Sequence, residues 1–595
     1  MSRLAERVER HHAWLALTFY LALALVWDRQ SLAHLGSVCP CGLPGDPAQY
    51  TWAFVWFPHA LFHGLSLLHT KAIWSPEGIN LAGATAVPFL ALVAAPVTYI
   101  WGPIVSFNLI TILAPVTAAG SVYVLCRHVT RSPWAALVAG AFFGFGTYEI
   151  AQLEGHLQLS VIFCPPLATL TAIRFLDGSN SRRRFGIQLC VILLVQFLIS
   201  LEVFFTMTVL GAVGLVLAWA FAEGGLRARM RAGLVPLVAA YVVTLALMSW
   251  YIVALTGAIA YAKYTGLRFP TDLLSMITPM PYTWLGGTHF ASVSARFVAG
   301  KGEDDLFIGL PMVLVLVGYL VARWRRRLAR WLTSFTLLTL VWILGTRLWV
   351  DGHSTIWLPY ALVARLPGFD QVLQGRVAVY FALICAVVLA LWLADDGRAT
   401  MAAGALEATR APASRWQRWR LASRWQRWRP ASRWLWGLVV VACVLPNIVN
   451  PSPGSIGTWE NPAFFSRGLY KEYLRKGENV LPIPWGWLSE SPMWQAETHM
   501  YFNLASGYFT TLLPHGWVGP LTLDLWNDTP HVSRDTPRVR GLVRSKGVSD
   551  ILVQDNELQA WSPVLIAAGL RHGPDVGGVT LFHVPAAWLA GPGAG

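Results

Sequence analysis

From Trp14 to about Asn447 the chain is a succession of apolar runs separated by short polar stretches, many of them basic. A helix needs about 20 mostly apolar residues to cross a bilayer. Eleven stretches reach or approach that length: 13–30, 105–126, 134–148, 158–176, 185–201, 203–222, 234–256, 306–322, 331–350, 376–394 and 434–449. A further run, 84–101, is apolar enough to span but is interrupted by Pro88 and Pro96. If it did span, Arg127 and Arg131 would face outward and every later loop would invert. It therefore reads as a re-entrant or interfacial segment on the outer side. The first run has no small-residue cleavage pattern behind it, so it reads as a span that stays.

Past residue 450 the pattern changes. Glu478–Pro484, Val548–Val553 and Val579–Val584 have the length and content of short strands, while Pro462–Arg475, Thr536–Lys546 and Leu558–Leu570 have a helical pattern. Alternating helix and strand predicts a small α/β domain. The expected fold is an α-helical polytopic membrane protein with about eleven transmembrane helices in 1–449, plus an α/β domain in 450–595 on the outer face. Outer loops are expected at 31–104, 257–305 and 351–375, and a basic cytoplasmic linker at 395–433. That linker holds a tandem repeat, ASRWQRWRL then ASRWQRWRP. Two units are too few for a solenoid, and a duplicated linker is preferred over a lipid-lying surface helix.

Composition agrees. Of 595 residues, 55% are hydrophobic and 13% charged, against about 25% charged in soluble chains; the mean hydropathy is +0.50. A string of soluble domains, disorder, a collagen-like fibre and a disulfide-framed module are excluded. The net charge of +14 does not point to nucleic acid. Stretches 1–12, 127–133, 177–185, 223–233, 323–330 and 395–433 together carry +18, leaving −4 for the rest. Basic residues gathered in alternate short loops follow the positive-inside rule. The N-terminus is thus expected on the cytoplasmic side of the membrane and the C-terminal domain on the outer side. Of seven cysteines, Cys126, Cys164, Cys190, Cys385 and Cys443 lie in or beside spans, leaving Cys39 and Cys41 only each other as partners.

Several polar residues interrupt this apolar background. The loop after the first span runs Cys39-Pro-Cys-Gly-Leu-Pro-Gly-Asp46 and continues to Trp74-Ser-Pro-Glu-Gly-Ile-Asn80-Leu81. Asp46 taken alone reads as a helix N-cap. Glu149, Glu154 and His156 lie between two spans, and Glu202 sits where two more meet with no polar loop. A carboxylate at that depth needs a partner. Met493–Tyr508 is rich in Trp, Tyr, Gln, Asn and His, so Trp494 and Gln495 suit either sugar contacts or an interfacial belt. His59 and His63 share a helix face without a third ligand, and Glu303-Asp304-Asp305 reads as a solvated span flank. No metal site is assigned.

Gly45-Asp46 after the first span, Pro76-Glu-Gly-Ile-Asn80-Leu81, Gly155-His156 and Ser200-Leu-Glu202 together resemble a family of bacterial multi-span glycosyltransferases of GT-C type. The resemblance covers roughly residues 10–400 by order and spacing. It implies transfer of a sugar from a polyprenyl-phosphate donor to an envelope glycan, lipid or protein on the outer face, among membrane lipids. It also implies an acidic catalytic residue in the first outer loop, matched by Asp46, and a second in the next, for which Glu149 and Glu154 are candidates. Glu202 is a further catalytic candidate, although Leu201 stands where a paired glutamate would be expected. His156 and Asn80 become candidate sugar or acceptor contacts. The resemblance leaves a divalent metal open.

Such a transferase must hold a lipid phosphate where the positive-inside rule disfavours cations. Lys263, Arg268, Arg347, Arg365 and Arg376 are cations of that kind. Arg376 opens a span after Gln374-Gly375 and is the preferred phosphate ligand, followed by Arg268 and Lys263, because a guanidinium donates two parallel hydrogen bonds. Arg347 and Arg365 read better as snorkelling side chains. The competing readings are a transporter or lipid flippase, and a catalytically inactive envelope-assembly protein. The charged residues found in the spans, Asp28, Arg29, Arg174, Arg347 and Arg376, lie toward span ends, which favours the transferase.

Overall fold

The computed structural model describes residues 2–41, 45–258, 269–279, 286, 289–299, 303, 306–394, 430–444, 456–509, 513–514 and 516–589. The linker repeat up to residue 429, and with it Lys263, Arg268, Asp304 and Asp305, lies outside the described residues. The chain forms two compact units: 1–29, 111–247 and 264–455 make one, while 30–110, 248–263 and 456–595 make the other. The segment after the first span thus belongs to the same unit as the C-terminal region.

The first unit is helical. Among the described residues six helices are long and apolar enough to cross a membrane: Pro103–Thr130, Pro133–Leu153, Leu157–Leu176, Leu201–Phe221, Gly224–Leu247 and Gln374–Leu393. Serine sets several starts. Ser132, Ser181 and Ser200 each accept the N–H three residues on, at 3.3 Å, satisfying one of the orphan donors of a first turn. Ser200 also ends Arg182–Ile199, so two helices meet there without a polar loop. Gly140 and Gly144 lie on a helix face pressed against Tyr20, Ala119 and Pro115, where an added Cβ would overlap neighbouring atoms. Small residues permit that approach.

Other expected spans come out shorter. The run 331–350 is a helix only over Arg327–Ile343. Gly345 adopts φ +77°, and the aromatic and β-branched residues beyond it pair as Arg347–Val350 with His353–Trp357. The run 306–322 is helical from Leu310 to Ala322, after Gly309 at φ +76°. The run 234–256 begins earlier, at Gly224, and breaks at Met248 before Ser249–Ala258.

In the second unit the run 84–101 forms the 14-residue helix Pro88–Trp101, which rises about 21 Å, less than the roughly 30 Å hydrocarbon core. Cys39 and Cys41 are joined by a disulfide, and Val38–Cys39 pairs antiparallel with Gly457–Thr458. The C-terminal region is built on a mixed five-stranded sheet: β1 (Asn479–Ile483), β2 (Asn503–Leu504), β3 (Val548–Gln554), β4 (Asp575–Val576) and β5 (Val579–His583), ordered β4-β5-β3-β1-β2. β1 is parallel to both neighbours, and β5 is antiparallel to β3. The three strands expected from the sequence are β1, β3 and β5. The expected helix 462–475 is instead two single turns, Ala463–Ser466 and Tyr470–Tyr473, separated by Gly468 at φ +75°.

The first-loop motif is what fastens that loop to the sheet. Ser75 N donates to Leu504 O, Leu504 N to Ala72 O and Trp74 N to Ser506 O, at 2.8–2.9 Å. Ser75 Oγ bonds Asn479 Oδ1 at 2.7 Å. Glu77 pairs with the buried Lys546 at 2.6 Å, and Trp74, Trp485 and Trp517 pack with ring centroids 5.2–5.9 Å apart.

Three carboxyls in this region are pushed up: Glu490 to about 8, Glu497 to about 7 and Glu557 to about 7, each chiefly by burial. For Glu490 the charge of Glu460 adds to that push, while Glu460 N–H opposes it. A carboxyl whose folded pKa is raised stabilises the fold fully below its unfolded value near 4.5 and loses that contribution as pH rises through 8. Stability of the C-terminal region is therefore expected to fall between pH 5 and 8.5, with Glu490 contributing up to roughly 5 kcal/mol. Urea unfolding followed by tryptophan fluorescence checks this, and Glu490→Gln should flatten the slope.

Candidate functional site

The polar centre of the first unit is Arg376. It lies in the 3₁₀ turn Gln374–Val377 that leads into helix Ala378–Leu393. Gly375 allows this turn to approach the 303 segment: a Cβ there would overlap the Glu303 carbonyl oxygen and come 3.1 Å from Thr271 Oγ1. That approach delivers the Glu303 carboxylate to the guanidinium in a two-pronged contact, Nη2 to Oε1 at 2.7 Å and Nε to Oε2 at 3.1 Å. Glu202, in the first turn of Leu201–Phe221, takes Nη1 at 2.9 Å through Oε2. His156 Nε2 stands 3.3 Å from Nη2 and 3.9 Å from Glu303 Oε1. Side-chain exposure is 16% for Arg376, 17% for Glu202, 12% for Glu303 and 22% for His156.

Burial alone would raise the Glu303 carboxyl, but the charge of Arg376, with a smaller contribution from His156, outweighs it and holds the pKa below its ordinary value. With a neutral imidazole the four groups carry one excess negative charge. Arg376 already uses on Glu303 the forked geometry that would grip a phosphate. Glu202 keeps Oε1 buried and without a hydrogen bond.

Gly375→Ala is expected to force the turn away from residue 303 and to lower stability by about 1–3 kcal/mol, as overpacking does. A thermal-shift comparison with Gly375→Ser and wild type checks it, both variants being expected to melt lower.

The second unit holds Asp46. It is the first residue of the helix Asp46–Phe62 and is half-buried, while Gly45, at φ +110°, occupies the cap position and supplies no side chain. The N-cap expectation for Asp46 is thereby corrected. Asn80 caps its own turn: Oδ1 accepts Ala82 N at 3.0 Å and Nδ2 donates to Ala254 O at 2.7 Å.

Trp494 and Gln495 do not fit the sugar-contact expectation. Trp494 is 1% exposed, donates to Glu460 O and stacks on Phe465. Gln495 is fully buried; Oε1 accepts Trp52 Nε1 at 2.6 Å and Nε2 donates to Ala72 O and Phe502 O. Both side chains hold the fold. His59 and His63 stack with centroids 4.2 Å apart, and His63 Nδ1 lies 2.8 Å from His59 O.

In the first unit, Glu154 ends the helix Thr147–Leu153 and is half-buried, two residues before His156. Glu149 is fully buried, and neither carboxylate oxygen has a hydrogen bond. Arg347 lies over the Trp357 ring at 4.1 Å.

Glu303 is the residue the sequence reading mistook. It is a largely enclosed partner of Arg376, not a solvated span flank. A signal for it did exist: a guanidinium opening a span requires nearby counter-charge, and the acidic run 303–305 is one of the few sources in the loops.

The fold is similar to those of two solved glycosyltransferases. The chain is similar to the arabinofuranosyltransferase AftD from Mycobacteria, with a TM-score of 0.56 and 15% identity over 96% of this chain and 41% of that one. It is also similar to the oligosaccharyltransferase AglB from Archaeoglobus fulgidus, with a TM-score of 0.50 and 11% identity over 98% of this chain and 75% of that one. The chain thus spans well under half the length of AftD. Residues 13–406 match the model of a family described as a domain of unknown function, DUF6311, and the chain belongs to that family. No curated protein matches the sequence.

Proposed function

We propose that the chain is an integral membrane glycosyltransferase that moves one sugar from a polyprenyl-phosphate carrier to an envelope glycan, lipid or protein acceptor on the extracytoplasmic face of a bacterial plasma membrane. The observation that carries the reading is the GT-C fold shared with AftD and AglB. The AglB structure was solved with a dolichol-phosphate and an inhibitory peptide, which supports a lipid-phosphate donor here by analogy of fold.

Asp46 is the proposed general base, taking the acceptor hydroxyl proton or orienting that hydroxyl. Arg376 is the proposed phosphate ligand, with Arg268 and Lys263 as further cations for it. After its bonds to Glu202 and Glu303 and the contact of Nη2 with His156, Arg376 has one hydrogen left over, on Nη1, so a donor phosphate engages it in full by replacing Glu202 there. Glu202, so released, has two acceptor oxygens for sugar or acceptor hydroxyls. His156 hydrogen-bonds the same phosphate or sugar, and Glu154 is the second acidic candidate.

Deleting the gene and profiling extracted lipids tests the reading. The expected result is accumulation of one polyprenyl-phosphate sugar with loss of one envelope modification. An unchanged lipid profile with a lost transport phenotype would support a transporter instead.

A further inference from the structure

The turn between helices Pro520–Asn527 and Val532–Lys546 brings Asp524, His531 and Asp535 together, with one ligand atom of each within 4.8 Å of the others. Asp535 is fully buried and Asp524 is 7% exposed. Asp535 Oδ2 accepts the His531 amide at 2.7 Å and so fixes the turn. Asp535 Oδ1 and Asp524 Oδ2 are buried and accept no hydrogen bond.

The imidazole is in conflict with its surroundings. His531 Nδ1 lies 2.6 Å from the Thr529 carbonyl oxygen and 2.8 Å from Arg534 Nη2, with Asp524 Oδ2 at 3.9 Å. Protonated, Nδ1 can donate to Thr529 but then faces an N–H of Arg534. Deprotonated, it can accept from Arg534 but then opposes the carbonyl lone pair. No tautomer serves both neighbours.

Three side chains thus converge, Asp524, His531 and Asp535, and the Thr529 carbonyl oxygen stands beside the imidazole nitrogen of the second. Arg534 pairs with Asp524 Oδ1 and holds Nε 3.7 Å from Asp535 Oδ1, but its side chain is 43% exposed. Two carboxylates and one guanidinium leave one negative charge.

We propose that Asp524, His531 and Asp535, together with the Thr529 carbonyl, form a divalent-cation site for an ion of the Zn²⁺ or Mn²⁺ class, taken up as Arg534 swings out to solvent. A mixed nitrogen and oxygen set suits such ions, whereas Ca²⁺ takes six to eight oxygens. Bound there, the ion removes the tautomer conflict, since an unprotonated Nδ1 and the carbonyl both point lone pairs at it. It also ties the two helices that follow β2 in the sheet.

The test uses the full-length protein in detergent, stripped with a chelator and titrated with MnCl₂ or ZnCl₂ by calorimetry, with thermal shift as a second readout. Wild type should bind one equivalent per chain and melt higher with it. His531→Ala, an exposed and structurally mild change, should weaken binding at least tenfold, and so should Asp535→Asn. Arg534→Ala should tighten binding severalfold, because it removes the competing cation. Wild type binding no more ion than His531→Ala would overturn the proposal. So would Arg534→Ala melting lower without taking up ion, which would make the Asp524–Arg534 contact a plain salt bridge. None of these readouts depends on transferase activity.

Discussion

Arg376→Met should destabilise the protein by about 3–5 kcal/mol, the range for removing one partner from a buried ion pair. The loss strands two carboxylates, Glu202 and Glu303, each less than a fifth exposed and each bonded to the missing guanidinium. Thermal unfolding in detergent measures it. The compensated variant Arg376→Met with Glu202→Gln and Glu303→Gln should recover much of the loss, because no uncompensated charge then remains, yet it should not recover transfer. Recovery of stability without activity separates the structural work of the cluster from its proposed donor role. A single variant as stable as wild type would mean that the two carboxylates do not depend on Arg376.

Asp46→Asn should lower transfer by about 10²–10⁴-fold, the usual contribution of a positioned proton-transfer group. Asparagine keeps the size of the side chain and its place in the first helical turn, so the melting temperature should stay within a degree or two of wild type. Sugar transfer in membranes matched for protein level is the measurement. A catalytically inactive assembly protein would be indifferent to this change.

Much of the helical architecture was legible because it rests on local rules. Apolar run length located most of the membrane helices, and Ser132, Ser181 and Ser200 mark starts with a hydroxyl in the cap position. β1, β3 and β5 could be read for the same reason, as short apolar runs of strand length. What failed was set by tertiary contacts. The stretch 331–350 is mostly apolar, but Gly345 ends the helix and Trp349 and Trp357 belong to a hairpin. Within the Pro76–Leu81 motif Asn80 caps a turn and Glu77 pairs with Lys546, so this part of the resemblance fastens a loop to a sheet.

The candidate site was half legible. Glu202 and Arg376 stand out in sequence as charges at span junctions, which cannot remain there unpaired. They meet that need with each other, at 2.9 Å. Glu303 was hidden because its loop has no periodicity and its neighbours are acidic, the pattern of a solvated flank. Only Gly375, admitting close approach of the 303 backbone, brings it in. Trp494 and Gln495 misled in the opposite direction: aromatic and amide side chains suit sugars, but they equally suit a buried junction such as Trp52–Gln495–Ala72.

The most direct test of the transferase reading is an in vitro transfer assay. Membranes carrying the full chain are supplied with polyprenyl-phosphate-linked sugars bearing a radiolabel, and label is followed into lipid, glycan and protein fractions. The account predicts that label from one donor appears in one envelope fraction with wild type and not with Asp46→Asn. Label that stays on its carrier with every donor, or that moves equally well with Asp46→Asn, would contradict it.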